Sequence, residues 1–231
     1  MTMRSLSLLP RLILTVLLLT TASAHAQNVI QNPSFEAPVL ATAYAALVTG
    51  QDIGGVWFVT QHVSDVGHVR HSASFNNVEP YPDGDQMVYV GDSGDAGKLA
   101  QPISTSLVAG NYRLSFFQGI LNLNQVAEVR IELAPITGGS GFGTTYGAPV
   151  YSQLFNEGGP GVPPAWVLQT ETIAVPSTGA YGLILIGAQD GLPSLVDNVS
   201  LSFVPEPCAA ALAAMAPISL ALLTRRRHRR A

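Results

Sequence analysis

Between residues 27 and 204 the apolar positions recur with a period of two, and nowhere with the period of a helix. Tyr112, Leu114 and Phe116 alternate with Arg113 and Ser115, Val129, Ile131 and Leu133 with Arg130 and Glu132, and Val199, Leu201 and Phe203 with Ser200 and Ser202. Such alternation puts one set of side chains on the buried face of a sheet and the other in water. Further strands are predicted over 56–63, 86–90, 99–104, 167–175 and 181–187. The last is apolar on both faces through Leu183, Ile184, Leu185 and Ile186, which predicts a central strand. Turn sequences such as Pro82-Asp83-Gly84-Asp85 and Ala109-Gly110-Asn111 separate the runs, as expected for short antiparallel strands. The fold class this predicts is all-β, a two-sheet antiparallel sandwich of about eight strands. Residues 135–165 break the rhythm: they are rich in Gly and Pro yet hold Phe142, Tyr146, Tyr151 and Phe155. Those aromatics predict an ordered excursion, either covering a sheet edge or serving a ligand.

Outside this region the pattern changes. Residues 1–26 carry Arg4 and Arg11, an apolar run from Leu12 to Leu19 and the exit Ala24-His25-Ala26. That order is the pattern of a cleavable signal peptide, and the apolar run is too short to span a bilayer. At the other end Val204-Pro205-Glu206-Pro207 precedes an apolar stretch from Cys208 to Leu223 and the basic residues Arg225, Arg226, Arg227, Arg229 and Arg230. This is a predicted transmembrane stop-transfer helix with its cations on the cytoplasmic side. The motif, the apolar helix and the arginine cluster together resemble the PEP-CTERM sorting signal of bacteria that make exopolysaccharide. The resemblance implies signal peptidase and an exosortase as partners during export. It also implies transient anchoring in the inner membrane of a Gram-negative-type cell, and a final place at the cell surface or in the extracellular matrix.

Charge sharpens the picture of the domain itself. Once the two ends are set aside, only Arg70, Lys98, Arg113 and Arg130 remain against fourteen of the fifteen acidic residues, a net of −10. So acidic a surface argues against nucleic acid and anionic lipid as partners, and leaves divalent cations open. The single cysteine, Cys208, lies in the tail, so no disulfide is available to the domain.

The domain opens with Asn32-Pro33-Ser34-Phe35-Glu36, contains Gly84-Asp85-Gln86-Met87-Val88-Tyr89-Val90, and closes with Asp197-Asn198-Val199-Ser200-Leu201. Together these segments resemble the galactose-binding-like jelly rolls that include many carbohydrate-binding modules. The resemblance implies first and last strands lying side by side, and a structural Ca²⁺ held by Glu36 and Asp197. Pro33 departs from the glycine usual in that family. Glycan binding would need aromatic platforms, for which Trp57, Tyr81, Tyr146, Tyr151 and Trp166 are candidates.

Catalytic patterns are incomplete. Gly91-Asp92-Ser93 followed by Gly97 resembles the nucleophile block of SGNH hydrolases, but no histidine lies between His71 and His228 to serve as base. His62, His68 and His71 match no zinc-binding spacing. The function expected is an exported, non-catalytic surface or extracellular-matrix protein that binds exopolysaccharide or another glycan. The alternatives are a structural or adhesion module without a glycan ligand and, last, a small secreted hydrolase.

Overall fold

The computed structural model describes residues 27–61, 66–70, 81–91, 97–120, 126–159, 165–187 and 194–205. The signal peptide, Glu206 and Pro207 of the sorting motif, the tail with its arginines, and the Asp92-Ser93 segment lie outside the described residues.

Two antiparallel sheets face each other as a sandwich, with no α-helix among the described residues. One sheet has the order β1 (Tyr44–Leu47), β4 (Val66–Arg70), β5 (Gln86–Val90), β13 (Ser194–Phe203), β7 (Gly110–Ile120), β11 (Trp166–Val175). The other runs β10 (Tyr151–Gly158), β8 (Val126–Gly138), β12 (Tyr181–Gly187), β6 (Lys98–Pro102), β3 (Trp57–Gln61), β2 (Asp52–Ile53), with β9 (Thr145–Tyr146) paired to the end of β8. From β5 to β8 and again from β11 to β13 successive strands alternate between the sheets, which is jelly-roll wiring.

The alternation read from the sequence sets the core. Leu114 and Phe116 of β7, Val129, Ile131 and Leu133 of β8, and Val199 and Leu201 of β13 all point into it, fully buried. Strand β12 is interior, between β8 and β6. Its second apolar set, Ile184 and Ile186, lies on the outer face of its sheet with Ala100, Ala134 and Tyr146. The strands are more numerous than eight, thirteen in the described residues, because short edge strands such as β1, β2 and β9 carry too few residues to show a period. The excursion at 135–165 is ordered where described. It supplies the end of β8, the turn of β9, and β10, which forms the sheet edge beside β8.

Candidate functional site

Two places gather polar side chains that the core does not explain. The first lies where the opening segment meets the last strand. Asn28 bridges to Ser202, Val29 N–H donates to the Leu201 carbonyl at 2.9 Å, and Val199 N–H donates to the Pro33 carbonyl at 2.9 Å. The two ends of the domain are thus side by side. Next to them stand three non-glycine residues with left-handed backbone, Asn32, Phe35 and Asn198, a conformation L-residues adopt only where their surroundings over-determine it.

What over-determines it is a set of buried side chains. Gln86 receives the Leu40 N–H on its Oε1 at 2.6 Å and donates from Nε2 to the carbonyls of Phe35 and Pro38, each at 3.2 Å. His68, buried on β4, meets the Phe35 carbonyl with Nε2 at 2.6 Å, which makes that nitrogen the protonated one in the neutral ring. Burial lowers its pKa, opposed by that hydrogen bond. Glu36 Oε1 accepts the N–H groups of Asp85 and Gln86 at 2.8 and 2.7 Å. Gly84, at φ +72°, must be glycine, since a Cβ there would run into the Glu36 carboxylate. Asp197, with no exposed surface, accepts Asn198 N–H at 2.7 Å and Asp83 N–H at 3.1 Å, while Ser34 Oγ donates to the Asp83 carboxylate.

Loss of water raises the Asp197 pKa to about 7, partly offset by those two amides and reinforced by repulsion from Asp83 and Glu36. Glu36 and Asp197, the residues implied as calcium ligands, therefore do share one neighbourhood, joined by Asp83. Hard carboxylate oxygens of this kind suit Ca²⁺. Among the described residues, however, no group of three or more acidic, histidine or cysteine side chains is arranged to hold a metal ion. The donor chemistry fits calcium; the oxygens are directed at backbone amides and do not close a shell.

The second place is a groove of about 300 Å³ on the outer face of the β10–β2 sheet. Its apolar lining is Ala134, Ile184 and Ile186, its polar lining Thr60, Gln61, Lys98 and Glu132, and one wall is Tyr146 and Gly147. Strand register builds it. Ser152, Glu132, Ile184, Ala100, Phe58 and Asp52 fall in one row across β10, β8, β12, β6, β3 and β2. A register shift in β3 between Val59 and Gln61 places both Thr60 and Gln61 at the groove, the re-aiming that bulges commonly perform. Ser152 Oγ donates to Glu132 Oε1 at 3.1 Å.

The excursion makes the wall. Phe142 packs edge-on against Phe58 with ring centroids 4.9 Å apart, and Tyr146 lies over Gly182, where any Cβ would collide with its ring. Burial raises the Tyr146 pKa to about 12, with the Thr144 hydroxyl pulling the other way. Gly182→Val is accordingly expected to push Tyr146 off the sheet and reshape the groove while the inner core is untouched. Retained near-UV circular dichroism from the core aromatics, with altered Tyr146 fluorescence quenching, would check it.

Of the five aromatic candidates, Tyr146 alone lines the groove. Trp57 is a correction: it is fully buried, its ring 5.3 Å from that of Phe35 and its Nε1–H donated to the Asn32 carbonyl at 3.2 Å, so it offers no face to a ligand. The alternation in β3 puts Trp57 and Val59 inward and Phe58 and Thr60 outward. Tyr151 is partly buried against the main core, its pKa raised to about 12 by burial and by the Glu171 charge. Tyr81 and Trp166 meet edge to face at 6.2 Å and pack on Val69, Met87 and Leu195, on the outer face of the opposite sheet. The sequence reading missed Thr60, Gln61, Lys98, Glu132, Ala134, Ile184 and Ile186 as a group, because only register unites four strands.

The fold is a two-sheet β-sandwich domain with a groove on one outer face. The chain belongs to the HpiC1-like family: the family model, described as HpiC1 cyclase, matches residues 26–143. No curated protein matches the chain in sequence. Several structural neighbours are carbohydrate-binding modules. One is the CBM22-1 xylan-binding domain of Paenibacillus barcinonensis Xyn10C, with 13% identity, TM-score 0.45, and 78% of this chain and 97% of that one covered. Another is TmCBM61 in complex with β-1,4-galactotriose, with 15% identity, TM-score 0.44, and 78% and 100% covered. A sugar-binding-protein candidate from Bacteroides thetaiotaomicron shows 12% identity, TM-score 0.48, and 77% and 100% covered.

Proposed function

We propose that the protein is an exported, non-catalytic glycan-binding protein of the cell surface or extracellular matrix, and that its ligand lies in the groove on the outer face of the β10–β2 sheet. The observation that carries this reading is the composition of that groove. A sugar ring presents an apolar face and a rim of hydroxyls. Ile184, Ile186 and the Tyr146 ring meet the first requirement, and Thr60, Gln61, Lys98 and Glu132 the second. A volume of about 300 Å³ is at the small end of ligand sites, which suits a short stretch of glycan. Tyr146→Ala is expected to abolish binding on a glycan array and to lower the melting temperature by only a few degrees, since the half-buried ring packs on the outer face of the sheet and the core between the sheets is left intact. Unchanged binding by that variant would move the site elsewhere.

Export and sorting belong to the same proposal and rest on the two terminal sequences. Signal peptidase would act after Ala26 and an exosortase at Val204-Pro205-Glu206-Pro207, with Arg225 to Arg230 holding the tail inside. Calcium would be held by the carboxylates of Glu36 and Asp197, supplying counter-charge that buried Asp197 lacks. A rise in melting temperature on adding CaCl₂, absent in Glu36→Gln, is the expected result for that ion.

The family description favours a second reading in the same groove: cyclisation of a small apolar molecule over Ile184 and Ile186, with Glu132, steadied by Ser152, as the acid within reach. Thermal-shift screening against oligosaccharides and against apolar small molecules separates the two. Stabilisation by the second class alone, with product formation lost in Glu132→Gln, would replace the glycan reading.

A further inference from the structure

The domain carries only four basic residues against fourteen acids, and two of the four stand together. Ile186 of β12 is paired in register with Lys98 of β6 on one side and with Arg130 of β8 on the other. The three therefore form one cross-strand row on the outer face of the sheet, with Lys98 and Ile186 lining the groove and Arg130 exposed beside it. Strands lie about 4.8 Å apart, so the two backbones are separated by roughly 10 Å. Two long cationic side chains across that gap can both reach an anion seated above Ile186, and the guanidinium can do so with two parallel hydrogen bonds.

From this row we infer that the groove selects an acidic glycan, with an anionic substituent held between Lys98 and Arg130 and the sugar ring lying along Ile184 and Ile186 toward Tyr146. The inference rests on the glycan-binding reading of the groove. Among the described residues, the other charged side chains on the same face lie outside the row. Glu132 and Glu128 are two residues to either side of Arg130 on β8, and Asp52 lies on the far edge strand. Glu132 is engaged by the Ser152 hydroxyl. The domain's overall negative charge does not cancel the row. Screening at physiological ionic strength limits exposed charges to about 8 Å, which takes the acids of the far strands and the opposite sheet out of reach and leaves Glu132 and Glu128 as the local carboxylates. Placing half of a scarce set of cations beside one groove is what recognition of a local anion requires; solubility of so acidic a domain has no need of it.

A uronate carboxylate and a sulfate ester share the chemistry that the row would recognise, and matched ligands distinguish them. The purified protein is titrated calorimetrically with a neutral glucan oligosaccharide, its counterpart oxidised to glucuronate at C6, and its sulfated counterpart. The same series is run on Arg130→Glu, which sets a carboxylate in the row beside the groove and leaves every groove-lining residue in place. The expected result is at least tenfold tighter binding of one or both acidic ligands by the wild type. That preference should be reduced by added salt and lost in the variant, which still binds the neutral ligand. Equal binding of all three by the wild type, or a preference that survives in the variant, overturns the inference while leaving glycan binding intact. Absence of binding to any of the three removes the glycan reading on which the inference stands.

Discussion

Trp57→Ala is expected to lower the stability of the domain by about 3–5 kcal/mol, the range for truncating a fully buried aromatic. In a domain of this size that corresponds to a drop in melting temperature of roughly 10 °C or more. The indole has no exposed surface, packs 5.3 Å from Phe35, and ties β3 to the opening segment through its hydrogen bond to the Asn32 carbonyl. Removing it leaves a cavity between the sheets and frees the segment that carries Ser34 and Glu36. Any loss of ligand binding in this variant should track the loss of folded protein in a denaturant titration. A stable Trp57→Ala protein that had specifically lost binding would contradict the placement of this side chain in the core.

The second large effect is a dependence of stability on pH, read in metal-free protein. The Asp197 carboxyl has its folded pKa raised to about 7 against an ordinary value near 4. Between those values the folded state holds a proton that the unfolded state has released. Stability therefore falls as pH rises from about 4 to about 7, by on the order of a few kcal/mol, and stays low above. His68 works in the opposite sense: with its folded pKa lowered by burial, stability falls as pH drops below the unfolded value near 6.5. Below about pH 6.5 the two slopes oppose each other, so the Asp197 contribution is read as the difference between the wild type and Asp197→Asn. In Asp197→Asn the fall from pH 5 to pH 8 should largely vanish. The variant should also melt lower at pH 5, because an amide cannot accept both the Asn198 and the Asp83 N–H groups as the carboxyl oxygens do. A wild-type melting temperature that climbs steadily from pH 5 to pH 8 would contradict the buried position of Asp197.

These two residues illustrate what sequence could and could not convey. Apolar runs bounded by turn sequences located β5 and β12 to the residue, and alternation placed Glu132 and Arg130 on the water-facing side of β8, since a period of two needs only one strand to be read. It also ordered the inward set of β7 and β13. The resemblance of the opening and closing segments brought Glu36 and Asp197 into one neighbourhood, where the structure adds Asp83 and the clamp made by Gln86 and His68. For Trp57 the same alternation was undecided, because β3 has apolar residues on both faces, Trp57 and Val59 against Phe58. The groove was not legible at all. Its lining comes from β3, β6, β8, β9 and β12, and which residue stands opposite which is fixed by register, a property of strand pairs that no single strand encodes. The bulge in β3, which aims Thr60 and Gln61 together, is likewise a feature of pairing.

The excursion at 135–165 gives a mixed case. Its aromatics signalled order, and β10 does form a sheet edge, but only the pairing of β9 with β8 brings Tyr146 over Gly182 and Phe142 against Phe58. A ring seated on a glycine is a contact between residues 36 positions apart in the chain, invisible without the fold. The short edge strands pose the same difficulty, since two to four residues cannot display a period.

The most direct test of the account is binding by wild-type protein and by Ile186→Trp on one glycan array. Ile186 is half-buried on the outer face and lines the groove, so the larger ring fills the space without entering the core between the sheets. The account predicts binding by the wild type, none by Ile186→Trp, and closely similar melting temperatures for the two. Equal binding by both proteins, or none by either, would contradict the assignment of the groove as a glycan site.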